Sequence, residues 1–328
     1  MRRLRSFAAL AALAARELVA QPIFVLLTTS AVALTALCPL ATVFHFGEEG
    51  KLARDGGLAF QLLFGLLIAV QAGSATVAEE LERGTAAAVL SKPVGRAAFF
   101  LGKFAGVAAV LFGFSLALAL TTLLSERVAE KFCATPQLFG YFTDWQTGNM
   151  LLAAPALALG GAALLNYLRR RSFGAAAFGL LLAALAAVLI LSGGFDRAGR
   201  PAPYDLQVQW RLLPAHALVF LALLALAAGA LALSTRLQRA PTLACVLLVL
   251  AVGMAADHAL GRAAAASRAA AVAYALTPNW QHFWVADGLD RGGVIPLGYL
   301  ARAAGYGVLY TSGLLCLGVA AFRHAEVR

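Results

Sequence analysis

Long apolar runs, repeated from near the start of the chain to its end, decide what this sequence can fold into. They cover approximately residues 22–44, 58–77, 99–124, 148–167, 172–194, 213–234, 241–260 and 298–322, and among them only Lys103, Asp257 and Arg302 bear a charge. About 20 such residues in a helix cross ~30 Å of hydrocarbon. A backbone immersed in lipid has no water to bond, so a spanning segment must satisfy its own N–H and C=O groups. The 328-residue chain carries 13% charged residues and 61% hydrophobic ones, against roughly 25% charged in a soluble domain. The runs therefore predict an all-α, polytopic helical membrane protein of six to eight transmembrane helices, eight by this count, forming one transmembrane domain over 1–328.

Charge placement then orients the chain. The net charge of +10 is spread over short loops rather than gathered in a patch, so membrane topology explains it better than nucleic acid does. With the N-terminus in the cytoplasm, 15 of the 26 Lys and Arg fall on cytoplasmic segments, including Arg2, Arg3, Arg5, Arg16, Arg169, Arg170, Arg171, Arg236 and Arg239. Lys and Arg enriched in short cytoplasmic loops set orientation, so N-in and C-in is expected. Residues 1–21 begin "MRRLRSFAALAALAA", a pattern shared by secretory signals and by amphipathic helices lying on the cytoplasmic face; the second reading is preferred. Residues 261–297 are expected to form an external loop. The "NYLRRRSF" and "STRLQRAP" turns each join two apolar runs as a hairpin, and the two hairpins resemble one another loosely.

One charged stretch interrupts this pattern: "EELERGTAAAVLSKPVGR", residues 79–96. Glu79, Glu80, Glu82 and Arg83 inside hydrocarbon would cost ~2.5–3.5 kcal/mol each, roughly 10–14 kcal/mol together, which cancels the gain from an entire span. The segment is therefore expected in the cytoplasm, within a connection over 78–98. Glu79 and Arg83 stand four apart in the order that supports a helix, with Leu81, Thr85 and Ala88 on another face. Gly84 weakens the helix, and Pro93 ends it. Arg96 and Lys103 flank the next run, where long basic side chains reach toward headgroups.

Glu80, Gly84, Thr85, Leu90, Ser91, Lys92, Pro93, Val94 and Arg96, followed by "FFLGKFAG" with Gly102 and Lys103, resemble the ABC-2 type transporter permease family. The similarity is closest to the branch of permeases for multicopper-enzyme maturation. "ARELVAQPIF" is similar to that family's interfacial lead-in helix, and "LTPNWQHFWVADGL" with the basic ending "FRHAEVR" to its last external loop and C-terminus. The resemblance implies a permease subunit, an exporter, in a plasma membrane (a bacterial inner membrane). A short coupling helix between spans two and three would dock on a separate cytoplasmic ABC ATPase. On that reading Glu79, Glu80, Leu81, Glu82, Arg83, Gly84, Thr85, Pro93, Arg96 and Lys103 form the ATPase-coupling set. A second permease subunit, identical or related, is implied as a further partner. The family commonly has six spans, two fewer than counted here.

The chain itself supplies no nucleotide site. Its GK is Gly102-Lys103, with Ala97 where a phosphate loop needs glycine and Phe104 where it needs Ser or Thr. ATP and Mg are therefore expected in the partner, with no cofactor held by this chain. Neither GxSxG nor HExxH occurs, so no catalytic residue is assigned. The four cysteines are far apart and the histidines lie mostly near span ends, so no metal site is assigned. Arg169 to Arg171 read as an anchor. Asn279, Trp280 and Phe283, with Trp284, read as an interfacial aromatic belt or as a candidate external lip. Gln61, Gln71 and Thr76 on the second span read as interhelical hydrogen-bonding groups or path-lining ones, and Gly102 with Gly106 as a close-packing GxxxG. A secondary transporter or channel not driven by ATP is the alternative, and symmetric halves with broken spans would mark it.

Overall fold

The structure is a computed structural model describing residues 2–41, 50–78, 95–135, 138–197, 199–204 and 208–323. Helices dominate it. An N-terminal helix α1 (Arg2–Val19) precedes α2 (Pro22–Leu37), whose Pro22 sits at the first turn, where no N–H partner is lost. Then come α3 (Lys51–Gly73), closed by a π turn at Ser74–Ala78, and α4 (Arg96–Val128), the longest at 33 residues. An antiparallel hairpin, β1 (Lys131–Thr135) with β2 (Leu138–Phe142), leads to α5 (Trp145–Arg169) and α6 (Phe173–Gly193). The chain continues through α7 (Leu213–Leu233), α8 (Arg239–Met254), α9 (Arg262–Ala266), α10 (Arg268–Leu276) and α11 (Leu297–Arg323).

Seven continuous helical segments are long and apolar enough to cross a membrane: Pro22–Leu40, Lys51–Thr76, Arg96–Val128, Trp145–Arg169, Phe173–Gly193, Trp210–Leu233 and Leu297–Arg323. The expected span over 241–260 is not straight. It stops at Met254 and resumes at Asp257–Ala266 with a bend of 54°. The protein is thus a multi-pass helical protein, with seven continuous helices long and apolar enough to span and one bent helix pair, a broken span or a re-entrant loop, among the described residues.

α4 is the axis of the bundle. It packs against α1, α2, α3, α5, α6, α7 and α11, and Phe99, Phe100, Leu111, Phe114, Leu118 and Leu124 along it are fully buried. In lipid, helices associate through close packing and interhelical hydrogen bonds rather than hydrophobic expulsion, so small residues mark the tight crossings. A Cβ on Gly106 would lie 2.6 Å from both the Ala11 carbonyl oxygen and the Ala14 Cβ. The GxxxG of the third span is therefore filled by α1 of the same chain. α5 and α6 pack side by side at the rim, joined by a turn in which Arg170 adopts a left-handed φ of 50° and Asn166 donates to the Arg171 carbonyl at 2.7 Å. The second hairpin is unlike the first, since α7 packs mainly on α11 and α3, with fewer contacts to α8.

Candidate functional site

The coupling set divides at the boundary of the described residues. Glu79, Glu80, Leu81, Glu82, Arg83, Gly84, Thr85 and Pro93 lie outside them. Arg96 and Lys103 lie within. Arg96, at the first turn of α4, donates from Nη1 to the Arg323 carbonyl at 2.7 Å, tying the start of the third span to the end of the last. Lys103 does not reach outward to headgroups. It is 1% exposed, stands over the Phe99 ring at 5.7 Å, and its ammonium is 3.5 Å from Glu17 of α1. Gly102, the residue just before Lys103, faces Leu10 and Phe7. The downstream end of the connection, from Gly95 into α4, is thus rooted where α1, the start of α4 and the end of α11 meet, while the Ser74–Ala78 turn before it packs on α3, α4 and α7.

At the opposite end of α4 lies a polar network that no motif in the sequence marks. Asp144 caps α5, accepting from the Thr147 backbone N–H at 3.0 Å and from its hydroxyl at 2.7 Å. The same carboxylate pairs with Arg127 Nε at 2.9 Å, both side chains buried. Arg127 Nη2 donates to the Phe195 carbonyl, and Arg197 donates to the carbonyls of Arg127, Ala129 and Phe142. The base of the β hairpin is clamped by these bonds. Buried Glu126 meets Lys131 at 2.7 Å and Arg54 at 4.0 Å, while Asp290 receives Lys51 at 2.7 Å and Arg54 at 3.5 Å. The Lys51 hydrogen bond holds the Asp290 carboxyl below its ordinary range. Burial pulls the Lys131 ammonium below the usual lysine value although Glu126 opposes it. The sequence signal was the charge density after the third span. Its partners at 54, 144, 197 and 290 have no local spacing to betray them.

Asn279, Trp280 and Phe283 are all buried. Asn279 donates to Asp257 Oδ1 at 2.6 Å, beside the Tyr274 hydroxyl bound to the same oxygen, and its backbone N–H donates to Tyr306 Oη at 3.0 Å. Trp280 Nε1 donates to the Val249 carbonyl at 3.1 Å, and its ring lies against Phe283 and Tyr310. A Cβ on Gly253 would fall 2.4 Å from that ring and 2.3 Å from the Pro278 carbonyl, so glycine lets the segment approach. These residues pin the broken span to α11. Irregular backbone inside a membrane bundle needs such side-chain partners.

Gln61, Gln71 and Thr76 of the second span pair within the protein. Gln61 donates to the His216 carbonyl at 3.1 Å and contacts His216 Nδ1, both residues buried. Gln71 reaches Gln21 at 3.3 Å, and Thr76 bonds the Ala72 carbonyl. His216 was not singled out from sequence. It lies three residues inside α7, where a histidine looks like an interfacial one. Among the described residues no group of three or more His, Cys, Asp or Glu is arranged to hold a metal.

These features define a multi-pass helical membrane protein. In comparisons with protein-family models, with curated proteins and with solved structures, the chain finds no match.

Proposed function

We propose that this chain is the transmembrane permease subunit of an ABC transporter of the ABC-2 type, an exporter whose cytoplasmic 79–94 connection docks on a separate ATP-binding subunit. The observation that carries the reading is where that connection is rooted. Ala78 and Gly95 flank it, and its downstream root at Arg96 and Lys103 is braced by the Arg323 carbonyl and by Glu17 of α1. A push on such a root is passed to α4, which touches most of the other helices. Packed helices have discrete arrangements, so a small shift at one end can become a large one elsewhere. ATP and Mg belong to the partner, and a second permease subunit, identical or related, completes the path. Lys and Arg in short loops favour N-in and C-in orientation. No bond of the cargo is made or broken by this chain.

The broken span at 255–257 favours one other reading, a secondary transporter. Folds of that kind place discontinuous helices in matched pairs from two repeats, whereas a single span is bent among the described residues.

Copurification of the tagged full chain with its ATPase tests the proposal. Glu80→Lys with Gly84→Trp is expected to abolish retention of the ATPase while the permease still elutes as a monodisperse species. Equal retention by wild type and variant overturns the assignment, and transport that persists without any ATPase selects the second reading.

A further inference from the structure

Between the start of α11 at Leu297 and its last residue, Arg323, the only charged side chain is Arg302. Side chains on a helix lean toward its N-terminus, and Arg302 does so. Its Nε donates to the Gly298 carbonyl, one turn earlier, at 3.2 Å. That bond holds the guanidinium in place. Among the described residues no carboxylate pairs with it, and Nη1 and Nη2 have no hydrogen-bond partner.

The 27 residues of α11 extend roughly 40 Å, about 10 Å more than the ~30 Å hydrocarbon core. A centred α11 therefore projects roughly 5 Å at each end. Arg302 stands about 7 Å from its start, just inside the hydrocarbon edge, with a side chain long enough to reach the phosphate layer. A pocket of about 440 Å³ opens beside it, walled by His282, Tyr299, Ala303 and Tyr306. That volume falls within the ~300–1,000 Å³ of small-molecule sites.

The walls are fixed. Tyr299 donates to the His282 carbonyl at 2.8 Å, Tyr306 accepts the Asn279 N–H at 3.0 Å, and the His282 ring stands edge-on to Tyr306 at 5.4 Å. The His282 ring nitrogens take no hydrogen bond among the described residues. The lining thus offers N–H donors and one full positive charge, with no carboxylate among the described residues that form it. A guanidinium presents its donors as a planar fork that matches an oxyanion. A cationic ligand is repelled, and an apolar one leaves the charge uncompensated at the edge of a low-dielectric layer.

We propose that this pocket binds a phosphate group, with Arg302 Nη1 and Nη2 as the charged fork and His282 as a second donor. The phosphate is carried by a lipid headgroup of the leaflet at that end or by a small soluble phosphate ester. The site stands apart from the 79–94 connection and does not depend on the ATPase assignment.

His282 is exposed and serves as the reporter, because diethyl pyrocarbonate modifies accessible imidazoles. The full chain in maltoside micelles is labelled at about pH 7, where imidazole is largely neutral, and the peptide carrying His282 is followed by mass spectrometry. One arm adds phosphatidylglycerol, a second adds diacylglycerol with the same acyl chains, and a third adds glycerol 3-phosphate. Phosphatidylglycerol is expected to half-protect His282 at roughly fivefold lower mole fraction than diacylglycerol, the preference conferred by about one basic side chain near an anionic headgroup. Protection by phosphatidylglycerol alone assigns the site to a lipid headgroup; protection by glycerol 3-phosphate assigns it to a soluble ester. Arg302→Gln is expected to abolish the phosphate-dependent protection, and Arg302→Lys to keep part of it, since the charge remains without the fork. His258, exposed and outside the pocket, is expected to react at one rate in every arm and variant, which shows that the fold is intact. Equal protection by the two lipids with none from glycerol 3-phosphate, or protection that survives Arg302→Gln, overturns the proposal.

Discussion

Asp144 carries two loads, and they can be separated. It caps α5 and it neutralises a buried arginine. Asn caps a helix about as well as Asp, so Asp144→Asn is expected to keep the first role and lose the charge of the second. Asp144→Ala loses both. Breaking a buried pair by removing one partner costs about 3–5 kcal/mol, and loss of a cap about 1 kcal/mol. Thermal unfolding in detergent is therefore expected to rank wild type above Asn and Asn above Ala. Equal midpoints for the two variants would show that the cap contributes nothing. At this scale the sequence was partly legible. Gln61 was visible as a polar residue in an apolar run, but its partner His216 lies 155 positions away, and only the packing of α3 on α7 joins them.

Among the elements, the crossing of α1 over α4 bears most directly on function, because the coupling root stands beside it. Gly106→Val puts a branched side chain into backbone atoms of α1 that cannot move aside. Overpacking of this kind costs about 1–3 kcal/mol. The expected result is detachment of α1, read as faster tryptic cleavage at Arg16 in the intact protein, with Gly102→Ala a milder change because its Cβ would stand 3.1 Å from the Leu10 side chain. Unchanged cleavage in Gly106→Val would mean that α1 is held by other contacts. Hydropathy made the straight spans legible, since long apolar runs have one low-energy answer in lipid. It did not reveal the break after Met254, because Asp257 and Val249 find Asn279 and Trp280 beyond an intervening helical hairpin. The β hairpin was equally hidden. Its clamp, Arg197, comes 55 residues after Phe142.

For the whole molecule, orientation is the property on which the proposed function turns. Phe139 on the hairpin and Tyr167 near the α5–α6 turn are 81% and 84% exposed at opposite ends of the fourth span. In a background with Cys38, Cys133, Cys245 and Cys316 replaced by Ser, Phe139→Cys is expected to react with an impermeant maleimide on intact cells. Tyr167→Cys is expected to react only after permeabilisation, and the reverse pattern would overturn the N-in assignment. The 33 residues of α4 carry a final consequence. They extend roughly 50 Å against ~30 Å of hydrocarbon, and hiding all of that length by leaning would take roughly 53°, beyond the 0–40° observed for membrane helices. α4 is therefore longer than the hydrocarbon it crosses and stands proud of it like a mast, with the Arg127–Asp144 pair at its C-terminal end. The shorter rim helices α5 and α6 meet the lipid, so a thinner or thicker membrane acts on the rim while the mast keeps its height.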